Sequence, residues 1–147
     1  MDFTRTSPDS ELLRRLDRAR EYIDDCFPES LDLRRIAEEA YLSPFHFQRL
    51  FRRTYRMTPH QYVTHRRIER ARELLLYTDF AVSEICMIVG FQSLGSFSSL
   101  FSRATGLSPL QYRNHFGRRT IVPILHPEKP TLVPFCFVAM FAPVKGG

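Results

Sequence analysis

The chain has 147 residues, 44% hydrophobic and 25% charged, with a formal net charge of +5. That balance suits a single globular domain with an appendage and excludes a disordered polyelectrolyte. No run approaches the roughly 20 apolar residues of a membrane span, and the polar start at Met1-Asp2 lacks a secretory profile, so a cytoplasmic protein with no membrane partner is expected.

The first element is an amphipathic helix from Ser7 to Phe27. Ser7-Pro8 is an N-cap followed by proline at the first helical position. Leu12, Leu16, Ala19 and Ile23 then recur at helical spacing, and Pro28 and Ser30 end the run. Cys26 and Cys86 lie in helix-like contexts and read as small buried apolar residues.

From Asp32 two short helices follow. Leu33, Ile36, Ala37 and Ala40 mark the first, and Leu42-Ser43-Pro44 is a turn that caps the second, whose inward residues are Phe47, Leu50 and Phe51. Two helices of about ten residues joined by a tight turn have the geometry of a helix-turn-helix. Thr58-Pro59 then opens a longer helix reaching about Tyr77. At 1.5 Å per residue it spans roughly 30 Å, suited to a spacer between two units.

The pattern then repeats. An offset of 50 residues pairs Ser43, Phe47, Leu50, Phe51 and Arg53 with Ser93, Phe97, Leu100, Phe101 and Arg103. It also pairs Pro59, Gln61, Tyr62 and His65 with Pro109, Gln111, Tyr112 and His115. Before the turn the offset is 49, pairing Ile36, Ala37 and Ala40 with Ile85, Cys86 and Val89, so the second copy has one extra residue at Gly90-Phe91-Gln92. The expected fold class is all-α, with two helix-turn-helix subdomains over residues 7–116 joined by the long helix.

Charge is unevenly spread. Eleven of the 16 acidic residues precede residue 40, and none occurs from Ala40 through Ile68, where Arg49, Arg52, Arg53, Arg56, Arg66 and Arg67 fall. Arginine is the side chain best shaped for bidentate contacts to phosphate and guanine, so the expected partner is double-stranded DNA. In such a motif the second helix enters the major groove. With Phe47, Leu50 and Phe51 inward, the opposite face carries Phe45, His46, Gln48, Arg49 and Arg52 as base contacts. Gln48 can bond adenine, Arg49 can bond guanine, and Phe45 can touch a thymine methyl.

The matching helix of the second copy offers Ser96, Ser98 and Ser99 as base contacts, beside Leu94 and Gly95, and none supplies a bidentate fork. The first unit is therefore expected to dominate base discrimination. Ser43, Arg53, Arg66, Arg67, Arg70, Ser93, Ser102 and Arg103 are the candidate phosphate contacts. For Arg53, which recurs as Arg103, an intramolecular salt bridge serves equally well. Glu69 and Glu73 stand where they can pair with arginines along the long helix.

No cofactor or metal is implied. The three cysteines form no CxxC pair, and His46, His60 and His65 lack ligand spacing. Cys136, flanked by Pro134, Phe135 and Phe137, has no neighbour to supply a base, so no enzyme is expected.

The two motifs, IAEEAYLSPFHFQRLFRRTYRMTPHQYV and SEICMIVGFQSLGSFSSLFSRATGLSPLQYRNHF, resemble the DNA-binding domain of the AraC/XylS family of transcription regulators from about Glu11 to Phe116. The resemblance implies seven helices and binding to two successive major grooves. It also implies base reading by positions matching Phe45, Gln48 and Arg49, whose counterparts in the second unit are Gly95, Ser98 and Ser99. Two departures stand out: Arg56 occupies a position often held by a helix-ending glycine, supplied as Gly106 in the second copy, and Cys86 replaces a common alanine. A sequence-specific regulator is expected, with RNA polymerase as a candidate second partner; the alternative is a nonspecific or architectural DNA binder. The tail, Gly117 to Gly147, has apolar runs Ile121 to Leu125 and Leu132 to Phe141 parted by His126-Pro127-Glu128-Lys129-Pro130. It reads as two extended segments around a turn that either cover the helical domain or dock a partner. The chain is accordingly a monomer or a tail-mediated dimer.

Overall fold

A computed structural model describes residues 8–117, and every regular element among them is helical. In order these are α1 (Pro8–Cys26), α2 (Leu33–Glu39), α3 (Pro44–Tyr55), α4 (Pro59–Tyr77), α5 (Val82–Ile88), α6 (Leu94–Thr105) and α7 (Pro109–Phe116). The expected Ser7 cap, the extended segments of the tail and Cys136 lie outside the described residues. No helix among the described residues is long and apolar enough to cross a membrane.

The chain divides into two units between Arg67 and Ile68, inside α4. In the first, α1 packs on α2 and α3, and α2 packs on α3. Leu16, Ala19 and Ile23 of α1 meet Ile36, Ala37, Ala40, Phe47, Phe51 and Val63 in one apolar core. Each fully buried Phe contributes roughly 1.5–3 kcal/mol by leaving water. Ala37 and Ala40 are fully buried, which is why small side chains stand where the two short helices approach.

The second unit has the same plan, with α6 packed on α5 and α7. Its core joins Ile68, Ala71, Leu74 and Leu75 of α4 to Ile85, Cys86, Val89, Phe97, Phe101 and Tyr112. Cys86 is a buried apolar residue, and burial pushes its thiol above the ordinary value.

The duplication reaches further than the helix-turn-helix. At an offset of 52, Leu16, Ala19 and Ile23 correspond to Ile68, Ala71 and Leu75, and Asp17-Arg18-Ala19-Arg20-Glu21 corresponds to Glu69-Arg70-Ala71-Arg72-Glu73. α1 and the second half of α4 are thus the same element of the two units. The offset falls from 52 to 49 because the stretch from Leu75 to Ile85 in the second unit is three residues shorter than that from Ile23 to Ile36 in the first.

Both turns close alike. In the first, the Leu42 N–H donates to Ala37 O at 3.1 Å and the Tyr41 N–H to Glu38 O at 3.0 Å. This pair of bonds is a Schellman closure, with Tyr41 left-handed at φ 54°. In the second, Phe91 donates to Cys86 O and Gly90 to Met87 O, both at 3.0 Å, with Gly90 at φ 93°. Ser43 follows Leu42 directly, whereas Gln92 intervenes before Ser93. The extra residue is therefore Gln92, inserted after the helix has already been closed.

Capping fixes where the other helices begin. Thr58 Oγ1 accepts from the Gln61 N–H at 3.2 Å, and Gln61 Oε1 accepts from the Thr58 N–H at 2.8 Å. Ser108 and Gln111 repeat this box at 3.3 and 2.9 Å. At the start of α2 the Asp32 carboxylate accepts from the Arg34 N–H. α5 begins at Ala81, which has no side-chain acceptor; only Glu84 reaches back, accepting from the Ala81 N–H at 2.6 Å.

Candidate nucleic-acid interface

α3 is aimed by its buried face. Phe47 and Phe51, one turn apart, are 0% exposed, with ring centroids 5.3 Å apart. Tyr55 extends that row and donates its hydroxyl to Asp17 of α1 at 2.6 Å, while the Arg20 guanidinium lies 5.5 Å above its ring. Burial, reinforced by the hydrogen bond to Asp17, pushes the Tyr55 phenol well above its ordinary value of 10.0. Tyr62 is raised in the same direction by burial and the charge of Asp24, to which it donates at 2.8 Å.

With that face inward, Phe45, Gln48, Arg49 and Arg52 stand at i, i+3, i+4 and i+7 and form one stripe in solvent, flanked by His46 and Arg53. All six are exposed, and Phe45 is 77% exposed, a large apolar side chain with nothing of its own fold to cover it among the described residues. Ser43 is exposed as the cap of α3, its Oγ accepting from the His46 N–H at 3.4 Å, so its hydroxyl proton remains available to donate.

In α6, Phe97 and Phe101 are again 0% exposed, their centroids 5.7 Å apart. The outward stripe is Gly95, Ser98, Ser99 and Ser102. Ser96 and Ser99 are exposed, Ser98 and Ser102 half-buried, and Ser93 is the cap that accepts from the Ser96 N–H. Arg103 is exposed in the last turn. The second helix thus presents short hydroxyls where the first presents an amide, two guanidiniums and an aromatic ring.

The arginines of α4 are engaged within the fold. Arg66 is half-buried, with its Nε 2.8 Å from Asp24 Oδ1 in an ion pair off the N–H direction, and its guanidinium lies 5.8 Å from the Phe27 ring centroid. Arg67 donates from Nε to Phe27 O at 2.7 Å and from Nη2 to Glu29 O at 2.8 Å, tying down the chain just beyond α1. Burial holds its guanidinium below the ordinary arginine range. Arg70 is exposed and pairs with Glu73 at 2.7 Å, and Arg72 pairs with Glu69 at 2.8 Å while donating to the Tyr112 hydroxyl at 3.0 Å. The Glu69 and Glu73 pairings expected along the helix are present. The partners of Arg66 and Arg67 come from roughly 40 residues upstream, beyond the reach of local pattern.

Two groups escaped the sequence reading. Arg15 donates from Nε to Ala40 O at 2.8 Å and from Nη2 to Tyr41 O, gripping the end of α2 and the turn. Arg113, in the second unit, donates to Leu75 O near the end of α4 and to Phe80 O, holding the connection that leads into α5. The one signal for Arg15 was the offset of 52, which pairs it with Arg67 and is carried mainly by charged residues; Arg113 falls opposite Val63 at the offset of 50 and had none.

A family model described as a helix-turn-helix domain matches residues 36–115. Among curated proteins, the chain is 34% identical over 106 residues to the bifunctional transcriptional activator/DNA repair enzyme AdaA of Bacillus subtilis, covering 72% of this chain and 49% of that protein. The chain therefore spans about half the length of that relative. Among solved structures, the C-terminal domain of AraT, a response regulator from Geobacillus stearothermophilus, matches at 32% identity and a TM-score of 0.66, covering 85% of this chain and 97% of that one. The DNA-binding domain of AdpA, a global transcriptional factor solved in complex with a target DNA, matches at 30% identity and a TM-score of 0.61, covering 72% of this chain and 92% of that one. With the duplicated helix-turn-helix and these matches in hand, the chain belongs to the AraC/XylS family of transcription regulators and carries that family's DNA-binding domain.

Proposed function

We propose that the domain over residues 7–116 is a sequence-specific regulator of transcription that reads adjacent major grooves of duplex DNA, with the first unit supplying most of the base discrimination. The observation that carries this reading is the contrast between the exposed stripes of α3 and α6. Arg49 can fork onto guanine O6 and N7 and Gln48 onto adenine N6 and N7, each such pair contributing about 1–3 kcal/mol of discrimination, and Phe45 supplies an apolar contact for a thymine methyl. Arg52, at the end of that stripe, and His46, on its flank, complete the base-reading set. Ser96, Ser98 and Ser99 make single hydrogen bonds at most.

Ser43, Arg53, Arg70, Ser93, Ser102 and Arg103 supply contacts to the phosphate backbone. Arg66 is ion-paired with Asp24 and Arg67 has donors committed to the Phe27 and Glu29 carbonyls, so each reaches phosphate only with what those contacts leave. The relative solved with a target DNA supports the choice of duplex as ligand.

Selection of bound sequences from random duplexes tests the reading. The expected product is an enriched motif in which Arg49→Ala erases one position, lowering the preference there roughly tenfold or more, while Ser99→Ala leaves the motif nearly unchanged. Recovery of no motif, with equal retention of scrambled competitor and a steep salt dependence, would establish the architectural alternative instead.

A further inference from the structure

We propose that Arg14 and Arg18 of α1, together with Tyr41 at the first turn, form a clamp for a backbone phosphate of the bound duplex. The proposal rests on the reading of this protein as a duplex-binding regulator and adds to it a contact outside both groove-facing helices.

Three observations lead there. At the offset of 52, Arg14, Arg15 and Arg18 of α1 correspond to Arg66, Arg67 and Arg70 of α4, the arginines expected from sequence to contact phosphate. In α4 two of the three, Arg66 and Arg67, are committed to Asp24, Phe27 and Glu29. In α1, among the described residues, only Arg15 of the three is so committed, to the carbonyls of Ala40 and Tyr41. Arg14 keeps a side chain 62% exposed and, among the described residues, meets only Glu11, at 3.8 Å. Arg18 is exposed, and the one polar partner recorded for it among the described residues is the Tyr41 hydroxyl at 3.4 Å, at the long edge of a hydrogen bond.

Second, these groups converge. Glu11, Arg14, Arg15, Arg18 and Tyr41 line an open cleft of about 390 Å³, three guanidiniums against one carboxylate. Such a cleft attracts an anion and, being open and polar, suits a passing backbone better than an enclosed apolar ligand.

Third, Tyr41 is held there at a cost. It is 70% exposed and left-handed at φ 54°, a conformation that costs a non-glycine residue free energy, and its counterpart in the second unit is Gly90. The guanidiniums of Arg15 and Arg18 lie 5.9 and 5.6 Å from its ring centroid. The ring so held spaces and orients Arg18, and its hydroxyl adds a donor. Tyr41 stands two residues before Ser43, the cap of the helix proposed to enter the groove, and a backbone flanking that groove passes the turn. Arg15 is a positioning residue that fixes the turn.

The test compares the full chain with its Arg14→Gln/Arg18→Gln variant on a selected duplex over a range of salt. Glutamine preserves helix propensity, and equal thermal unfolding verifies the fold. Each neutralised phosphate contributes about 0.9 to the slope of log affinity against log salt, so losing the one held by the clamp makes the slope shallower by roughly 0.9. Between 50 and 200 mM salt the wild type then loses about 3.5-fold more affinity than the variant, with base preference the same in both. Replacing phosphates one at a time by neutral methylphosphonate supplies the second readout. At one flanking position the wild type weakens and the variant does not. An unchanged slope overturns the clamp while leaving the DNA-binding reading intact, and a variant that loses base preference along with slope overturns it too, in favour of an effect through α3. Failure of the wild type to bind any duplex overturns both readings.

Discussion

Arg56 and Gly106 end α3 and α6 in the same way, at φ 61° and φ 78°, donating their N–H groups to Arg52 O and Ser102 O at 2.9 and 2.8 Å. Only one of them is a glycine. The left-handed conformation costs an L residue roughly 1–2 kcal/mol, and glycine's larger unfolded-state entropy gives back about 0.4–1 kcal/mol. Replacing alanine by glycine at either position should therefore stabilise the protein by roughly 0.5–1 kcal/mol. A comparison of Arg56→Ala with Arg56→Gly isolates this effect from the loss of the Arg56 charge near the end of α3. At the other site Gly106→Ala should cost about the same amount, since a Cβ there meets nothing within 4 Å and the penalty is purely conformational. For a domain of 60–100 residues, 1 kcal/mol shifts Tm by roughly 4–8 °C, so a displacement of a few degrees is expected in each case. Thermal and urea unfolding followed by circular dichroism measure it. An Arg56→Gly variant no more stable than Arg56→Ala, or a neutral Gly106→Ala, would refute the reasoning.

Ala81→Ser supplies α5 with the side-chain acceptor it lacks and, beside the existing Glu84 bond, should raise urea stability by about 1 kcal/mol. Gly95→Ala should raise stability by up to about 1 kcal/mol, because its Cβ would meet only Ser93 Oγ, at an ordinary 3.7 Å, and alanine is the better helix former; a loss of stability there would mean α6 needs the glycine. Tyr55 and Tyr62 have phenols raised above 10.0 in the folded state, so the stability they contribute is complete below about pH 10 and fades as pH rises through their folded values. Urea midpoints should accordingly fall with alkaline pH, less steeply in a Tyr55→Phe/Tyr62→Phe variant, and absorbance titration should show two phenols ionising late.

The apolar spacing and the Ser-Pro and Thr-Pro starts made the helices legible, because caps and buried faces are local signals. The boxes at Thr58-Gln61 and Ser108-Gln111 were visible as the recurring glutamine, and the buried pairs Phe47-Phe51 and Phe97-Phe101 followed from the offset of 50. What stayed hidden was long-range. Nothing near Arg67 announces that carbonyls at Phe27 and Glu29 will take up its donors, and nothing near Asp17 announces Tyr55. The match of α1 to the second half of α4 was masked by the shorter connection that breaks the offset. In the candidate site, the exposed stripe of α3 could be read from periodicity, whereas the commitment of Arg66 and the exposure of Arg14 and Arg18 needed the tertiary structure.

The position of Gln92 bears on how such a motif tolerates change. Because the Schellman bonds finish one helix before the serine cap starts the next, the two ends are independent joints with a free link between them. Lengthening that link breaks no hydrogen bond and moves no core phenylalanine out of register with its own helix. Within one chain, the two copies are therefore a ready-made pair of linkage lengths, and grafting the five-residue connector onto the first copy would re-aim its outward stripe without rebuilding its interior.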